Sequence, residues 1–521
     1  MFIYEGMNLD DEKLIIIDFG SQYTHLIARR IRELNVYSEV YPSNVKLADV
    51  ADVSAIKGFV LSGGPGSVYE TQHLTIPDWV FETGLPILGI CYGMQAIVEN
   101  LGGTVEPGNL REYGLAKLKS TNLKNPLLEG IPEESEVWMS HGDKVTALPV
   151  GFKCLADTSN SEYSVISNER NIYGIQFHPE VHHTEYGSAI IDNFLVKICQ
   201  VSKTWNAGQF ISSCIANIQE QVKDSQVVCA LSGGVDSAVT AALLHHAIGK
   251  QLKCIFVNNG LLRLNEENEV KALFSNSLDL DINYLDAADR FIDKLSGVVD
   301  PELKRKTIGY EFIKCFEEET TKLENVEFLA QGTLYPDVIE SVSSSGNSAV
   351  IKTHHNVGGL PENMKLKLVE PLRYLFKDEV RTVGLELGLS PEIIHRQPFP
   401  GPGLAIRIIG EVTREKLDIL KLCDKIVTDT LKKSDCYDDI WQGFAVLTDS
   451  HTVGVMGDDR TYGYVCALRI VSSEDAMTAN WVKVPYEVLE TISSRIVNEV
   501  PGVNRVVYDI TNKPPGTIEW E

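Results

Sequence analysis

Apolar and polar positions in the first third of the chain follow two rhythms. KLIIIDFG (13–20) is a continuous apolar run ending at Gly20, IKGFVLSGGPGS (56–67) reads as a strand running into a glycine-rich turn, and LPILGICYGMQAIVENLGG (85–103) as strand, turn and helix with a Gly-Gly stop. After the first run, HLIARRIREL (25–34) repeats its apolar residues at helical spacing and leaves a basic face. Continuous apolar strands separated by helices predict a parallel sheet covered on both faces, because both sides of each strand are then buried. From about 104 to 180 the pattern predicts shorter strands and denser turns, and AIIDNFLVKICQ (189–200) predicts a closing helix. The rhythm restarts near 204. QVVCALSGG (226–234) reads as a buried strand, SAVTAALLHHAIG (237–249) as a helix stopped at Gly249, and LKCIFVNNG (252–260) as the next strand. That is a second doubly wound α/β domain. RQPFPGPGLAIR (396–407) is too rich in proline and glycine for regular structure and predicts a hinge. Beyond it, FAVLTD and RVVYDI read as strands of a smaller α+β domain. The expected layout is a tail at 1–12 and domains at 13–203, 204–397 and 398–521.

Bulk composition narrows the functional classes. A chain of 521 residues suits about three domains. Its formal net charge of −25 argues against nucleic acid or an anionic membrane as the main partner. Any bound phosphate must be met by local cations or backbone N–H groups. The ten cysteines form no C-x-x-C pair, which speaks against a disulfide framework or zinc site and for a reducing compartment. No apolar run reaches the roughly 18 residues of a membrane span, and the first residues are acidic where a leader would be basic. The expectation is a cytoplasmic protein.

Cys91 stands between Gly89 and Gly93, where an apolar strand turns into a helix. Such an elbow lifts the turn residue clear of the sheet, and the glycines are expected to leave room for a substrate. The helix N-terminus favours a thiolate. The N–H of Tyr92 can face an oxyanion, with a second donor from Gly63 or Gly64 in SGGPGS. YGIQFHPE (173–180) supplies a base: His178 and Glu180 share a face of an extended segment, so the carboxylate can orient the imidazole. A lone cysteine at a strand end is more often inert, and a His-Pro-Glu turn alone says little. Nucleophile, base and orienting group together favour a catalytic triad. His182 and His183 read as surface residues. SGGPGS, GICYGMQ and FHPE, over roughly 13–203, resemble the class I glutamine amidotransferase domain. The resemblance implies hydrolysis of the glutamine side-chain amide through a thioester on Cys91, with His178 as base and Glu180 as orienter.

The second glycine-rich loop, LSGGVDSAV (231–239), lacks the lysine and spacing of a P-loop. It still opens a helix, so the N–H groups around Ser232, Gly233, Gly234, Val235, Ser237 and Ala238 can cradle an anion. A plain strand-to-helix turn is the competing reading. Asp236 suits a Mg²⁺ ligand better than a phosphate contact. Lys352 and Lys377 suit charge neutralisation, while His354 and His355 read as part of a lid loop. The S-G-G-x-D-S pattern resembles the N-type ATP pyrophosphatases, which implies cleavage of ATP to AMP and pyrophosphate with adenylylation of an acceptor oxygen.

PFPGPGLAIR and the terminal DITNKPPGTIEWE resemble the glutamine-hydrolysing GMP synthase family over the full chain. The resemblance implies xanthosine 5′-monophosphate (XMP) as acceptor, glutamine and ATP as co-substrates, an adenyl-XMP intermediate and a homodimer formed through the C-terminal domain. It places XMP contacts at Arg263, Gln442, Asp458, Arg505, Lys513 and Glu519. Asp459 departs from the small or neutral residue more usual there. Two rival readings are an ammonia-dependent or RNA-thiolating enzyme of the ATP pyrophosphatase type, and a non-catalytic sensor with relic sites. The first lacks a basic face, and the second should have lost part of the triad or loop.

Overall fold

The computed structural model describes residues 12–70, 73–277, 280–323, 325–338, 366–456, 459–473 and 478–521. They fall into two compact units, Met1–Asn217 with Tyr335–Ile351, and Ile218–Leu334 with Lys352–Glu521.

The first unit is built on a nine-stranded sheet. Its strands are β1 (Lys13–Asp18), β2 (Tyr37–Pro42), β3 (Ile56–Leu61), β4 (Ile87–Ile90), β5 (Thr104–Ser120), β6 (Glu134–Ala147), β7 (Lys153–Asp157), β8 (Val165–Ser167) and β9 (Ile172–Ile175), in the order β2-β1-β3-β4-β9-β8-β7-β5-β6. The half running β2-β1-β3-β4-β9 is parallel. Leu14, Ile15, Ile16 and Ile17 of β1 are all fully buried, which is why that strand is apolar without alternation. Helix α1 (Thr24–Glu33) buries Ile27, Ala28, Ile31 and also Arg32, so the basic face expected from the sequence is only Arg29 and Arg30, both partly exposed. Helix α2 (Tyr92–Asn100) follows β4 directly.

The stretch expected as short strands and dense turns differs. β5 and β6 span 17 and 14 residues and form one long antiparallel ribbon. Pro107 does not end the strand, because a register shift between Pro107 and Glu112 absorbs the extra residues as a bulge. In β6, Ser135, Val137, Met139 and His141 point inward at every second position. The closing helix comes as an α turn, Gly187–Asp192, continued by a π-helical turn, Asn193–Ile198.

The second unit holds an all-parallel sheet of β10 (Gln226–Leu231), β11 (Leu252–Asn258), β12 (Ile282–Asp286), β13 (Val326–Ala330) and β14 (Lys367–Val369), ordered β12-β11-β10-β13-β14. Helix α3 (Val235–Ile248) is apolar nearly all round and buried against the sheet. Helix α4 (Lys377–Glu386) packs beside it, with Gly384 against Val239 of α3. Helix α5 (Arg414–Leu431) then packs Leu417, Leu420 and Val427 onto a mixed sheet. That sheet comprises β15 (Gln442–Met456), β16 (Asp459–Ser472) and β17 (Asn480–Trp481), antiparallel in that order, with β18 (Val503–Tyr508) parallel to β16.

The proline- and glycine-rich segment expected as a hinge is instead packed at its C-terminal half. Leu404, Ala405, Ile406 and Arg407 are fully buried in a 3₁₀ turn. Gly403 there has φ +62°, and a Cβ would come within 2.4 Å of the Leu261 carbonyl. The tail after β18 is held from inside. Fully buried Arg469 donates to the carbonyls of Thr511 (2.5 Å) and Thr517 (2.8 Å), and fully buried Lys304 binds Glu521 and the Ile408 carbonyl (2.7 Å). Among the described residues, no helix is long and apolar enough to cross a membrane. None of the ten cysteines is in a disulfide.

Candidate active sites

The elbow after β4 forces Cys91 to φ +51°, ψ −105°, a conformation L-residues rarely adopt. Gly89 and Gly93 do not open space beside the thiol as the sequence suggests. A Cβ on Gly93 would lie 2.3 Å from the Leu61 carbonyl, and one on Gly89 2.6 Å from Gly93 backbone. The glycines let α2 start in contact with β3 and β4, locked by Gly93 N–H donating to the Ser62 carbonyl at 3.0 Å. Cys91 itself donates its N–H to the Ile175 carbonyl at 2.7 Å, which ties the elbow to β9. Its thiol faces the Ser140 carbonyl at 3.8 Å and receives Nε2 of Gln176 at 3.7 Å. Neither neighbour is apparent from sequence, since neither belongs to a short motif with Cys91.

His178 follows the end of β9, and its Nδ1 lies 2.7 Å from Oε1 of Glu180. Both side chains are buried, 4% and 1% exposed. Burial alone would depress the imidazole, but the Glu180 carboxylate and a hydrogen bond with Cys91 outweigh it and push His178 up to about 10. Among the described residues, no donor reaches Oε2 of Glu180, so its charge is directed at the ring. Nε of Arg30 fixes the Glu180 carbonyl at 3.0 Å. Tyr92 opens α2, so no intrahelical carbonyl takes its N–H. The SGGPGS turn lies against the same spot: a Cβ on Gly63 would be 3.3 Å from Cε1 of His178, and one on Gly64 3.2 Å from the Tyr92 ring. The structure thus brings Cys91, His178, Glu180, Tyr92 and the Gly63–Gly64 turn together. His182 and His183 are exposed, with rings 6.2 Å apart.

In the second unit, the loop between β10 and α3 turns at Gly233 with φ +76°. The Ser232 and Ser237 hydroxyls are 3.1 Å apart and bond the loop's own N–H groups: Ser232 N–H to Oγ of Ser237, and Gly234 N–H to Oγ of Ser232, each at 3.3 Å. Val235 and Ala238 lie in the first turn of α3. Lys377, at the start of α4, places Nζ 2.6 Å from each oxygen of Asp236. The expected charge neutraliser and the expected metal ligand therefore hold each other. Sequence reasoning missed Arg396, which donates to the Gly233 carbonyl at 3.0 Å and pairs with buried Glu266. Among the described residues, no group of three or more His, Cys, Asp or Glu side chains is placed to hold a metal. Lys352, His354, His355 and Asp458 lie outside the described residues.

Two of the expected XMP contacts meet. Gln442 donates to Oε1 of Glu519 at 3.1 Å. Arg407, fully buried, grips Glu519 through Nε (3.0 Å) and Nη2 (2.9 Å) and stacks 3.9 Å from the Phe444 ring centroid. Its Nη1 also pairs with Asp424 at 3.7 Å, and Arg263 pairs with the other oxygen of that carboxylate at 3.2 Å. Arg263 thus joins the group through Asp424. Arg407 ends the PFPGPGLAIR motif, but nothing in that string or around Asp424 points to their pairing; only the fold assembles them. Lys513 is fixed by its backbone, paired with Ala479 in both directions, and Arg505 lies exposed on β18. Asp459 pairs with Met456 where β15 meets β16.

Three family models match: glutamine amidotransferase class-I over residues 15–198, tRNA methyl transferase HUP domain over 225–294, and GMP synthase C terminal domain over 429–520. A glutamine-hydrolyzing GMP synthase of Dehalococcoides mccartyi is 60% identical, covering 98% of this chain and 96% of that protein. One of Brachyspira hyodysenteriae is 57% identical, covering 98% and 99%. Identity at that level over almost the entire length has one reading: the chain belongs to the glutamine-hydrolysing GMP synthase family.

Proposed function

We propose that Cys91, His178 and Glu180 perform the glutamine half of the reaction the chain catalyses, the ATP-dependent amination of XMP to GMP. The Cys91 sulfur attacks the side-chain amide carbon of glutamine, and Tyr92 N–H with Gly64 N–H receives the oxyanion. His178 passes the thiol proton to the departing nitrogen, releasing ammonia. Water, deprotonated by His178, then cleaves the thioester to glutamate and restores the thiol. The observation that carries this reading is the buried His178–Glu180 hydrogen bond beside a thiol held at a strained elbow.

The loop Ser232, Gly233, Gly234, Val235, Ser237 and Ala238 cradles the pyrophosphate of ATP, with Lys377 and Lys352 balancing its charge. Asp236 would hold Mg²⁺, for which one carboxylate beside substrate phosphates is a normal set. When bound, Mg²⁺ supplies charge neutralisation on the polyphosphate. Arg263, Gln442, Asp458, Arg505, Lys513 and Glu519 bind XMP. The AMP leaving group on its C2 oxygen is displaced by ammonia, giving GMP, AMP and pyrophosphate. A net charge of −25 supports small nucleotides rather than nucleic acid as ligands. Ten cysteines outside any disulfide support a cytoplasmic setting. Exposed Val453, Val455 and Tyr462 on the β15–β16 hairpin support a homodimer through the C-terminal domain.

Cys91→Ala tests the reading. Glutamine-dependent GMP formation should vanish while ammonium-dependent formation persists, rising with pH as free NH₃ increases. Retained glutamine use, or loss of both in a folded variant, refutes it.

A further inference from the structure

The ribbon β5–β6 carries a buried polar pair that the glutaminase chemistry above does not use. Glu112 and His141 stand directly opposite each other in its register, immediately after the bulge, so their side chains share a face. Each is 7% exposed. Nε2 of His141 meets Oε2 of Glu112 at 3.2 Å, and the Thr158 hydroxyl donates to Oε1 at 3.1 Å. A carbonyl can only accept, so Nδ1 of His141 carries the proton it presents to the Asp143 carbonyl at 2.9 Å.

What this pair holds is the segment Ser140–Asp143, and that segment touches the glutaminase site from two sides. The Ser140 carbonyl is the acceptor facing the Cys91 thiol. The Asp143 carbonyl also takes Nε2 of Gln95 at 3.1 Å; that amide lies 3.3 Å from Oε1 of Gln176, whose Nε2 points at the Cys91 sulfur. The Asp143 carboxylate takes the hydroxyls of Ser67 (2.5 Å) and Tyr69 (2.8 Å), which follow the Gly63–Gly64 turn. One short segment thus connects the thiol's surroundings to the turn assigned to the oxyanion.

We infer that His141 and Glu112 are positioning residues for glutamine hydrolysis, setting the 140–143 segment that aligns the Cys91 sulfur with the oxyanion turn. The inference rests on the glutaminase reading above. Neither residue touches the reacting atoms. Their effect is on geometry, where a displacement of about 1 Å can cost roughly 100-fold in rate.

The test uses the full chain with saturating ATP and XMP. His141→Ala and Glu112→Ala should each lower glutaminase kcat by roughly 10- to 100-fold, with KM for glutamine within about threefold, while ammonium-dependent GMP formation is unchanged. Glu112→Gln should keep activity within about threefold, because a side-chain amide can either donate to Nε2 of His141 or accept from it. His141→Asn serves if His141→Ala does not fold; its amide still reaches backbone but not Glu112, so kcat should fall alike. Glutaminase kcat within threefold of wild type in folded Glu112→Ala and His141→Asn overturns the inference. So does parallel loss of both activities, which marks the pair as structural. Cys91→Ala separates the two readings: if it retains glutamine use, the triad itself is misassigned.

Discussion

Replacing Glu180 by glutamine changes one buried charge and almost no volume. In the wild type, burial of the imidazole works against its proton, yet the Glu180 carboxylate at 2.7 Å and the Cys91 thiol raise His178 to about 10. Without the carboxylate charge the burial penalty is opposed only by the thiol. His178 should then titrate near or below its usual value of about 6.5, a drop of roughly 3 units or more. At about 1.36 kcal/mol per unit, the imidazolium loses roughly 4 kcal/mol, enough to slow proton delivery to the leaving nitrogen by 10²- to 10³-fold. Two assays read this: ammonia release from glutamine with saturating ATP and XMP, and carbon-13 NMR titration of labelled His178. Ammonium-dependent GMP formation should be unaffected. The same shift predicts a stability signature. A group raised on folding stabilises the native state fully below about 6.5 and loses that contribution as pH rises through about 10. The variant's melting temperature should therefore trail the wild type most at pH 6 and converge with it by pH 10. If His178 in Glu180→Gln still titrated near 10, or glutaminase fell less than threefold, the charge would not be what holds the proton.

Gly93→Ala should destabilise the first unit by more than about 2 kcal/mol and abolish glutamine use, because its Cβ would meet the Leu61 carbonyl at 2.3 Å; a normal urea midpoint would refute the packing role. Arg407→Leu should cost roughly 3 kcal/mol, since it takes from Asp424 and Glu519 their shared buried cation and leaves them only Arg263 and Gln442. XMP affinity should fall with it while ATP affinity holds, both readable by calorimetry. Lys513→Ala should raise KM for XMP at least about tenfold with an unchanged melting temperature; unchanged KM would make the tail merely structural.

The positions of Cys91, of His178 with Glu180, and of both glycine-rich turns were legible because each lies in a short string at a strand end, where local chemistry and local geometry coincide. The core strands β1 and β10 were legible for the same reason: burial on two faces leaves an unbroken apolar run. Contacts assembled from remote segments were not. Arg396 reaches Gly233, and Arg407 joins Glu519 to Asp424, only because the fold returns distant chain to one place. The Glu112–His141 pair depends on a bulge whose proline and neighbouring glycines read as turns. At 396–407, prolines and glycines read as looseness; in the fold, Gly403 is where backbone must touch backbone.

The left-handed backbone at Cys91 has an evolutionary side. Folding alone would assign this position to glycine, which adopts φ +51° freely, whereas a side chain there costs on the order of 1–3 kcal/mol. Mutational drift without selection on glutamine use would be rewarded for losing the thiol, since the loss makes the protein more stable. A cysteine at this elbow is therefore a residue that stability works against, which is what the glutaminase role proposed for it would require.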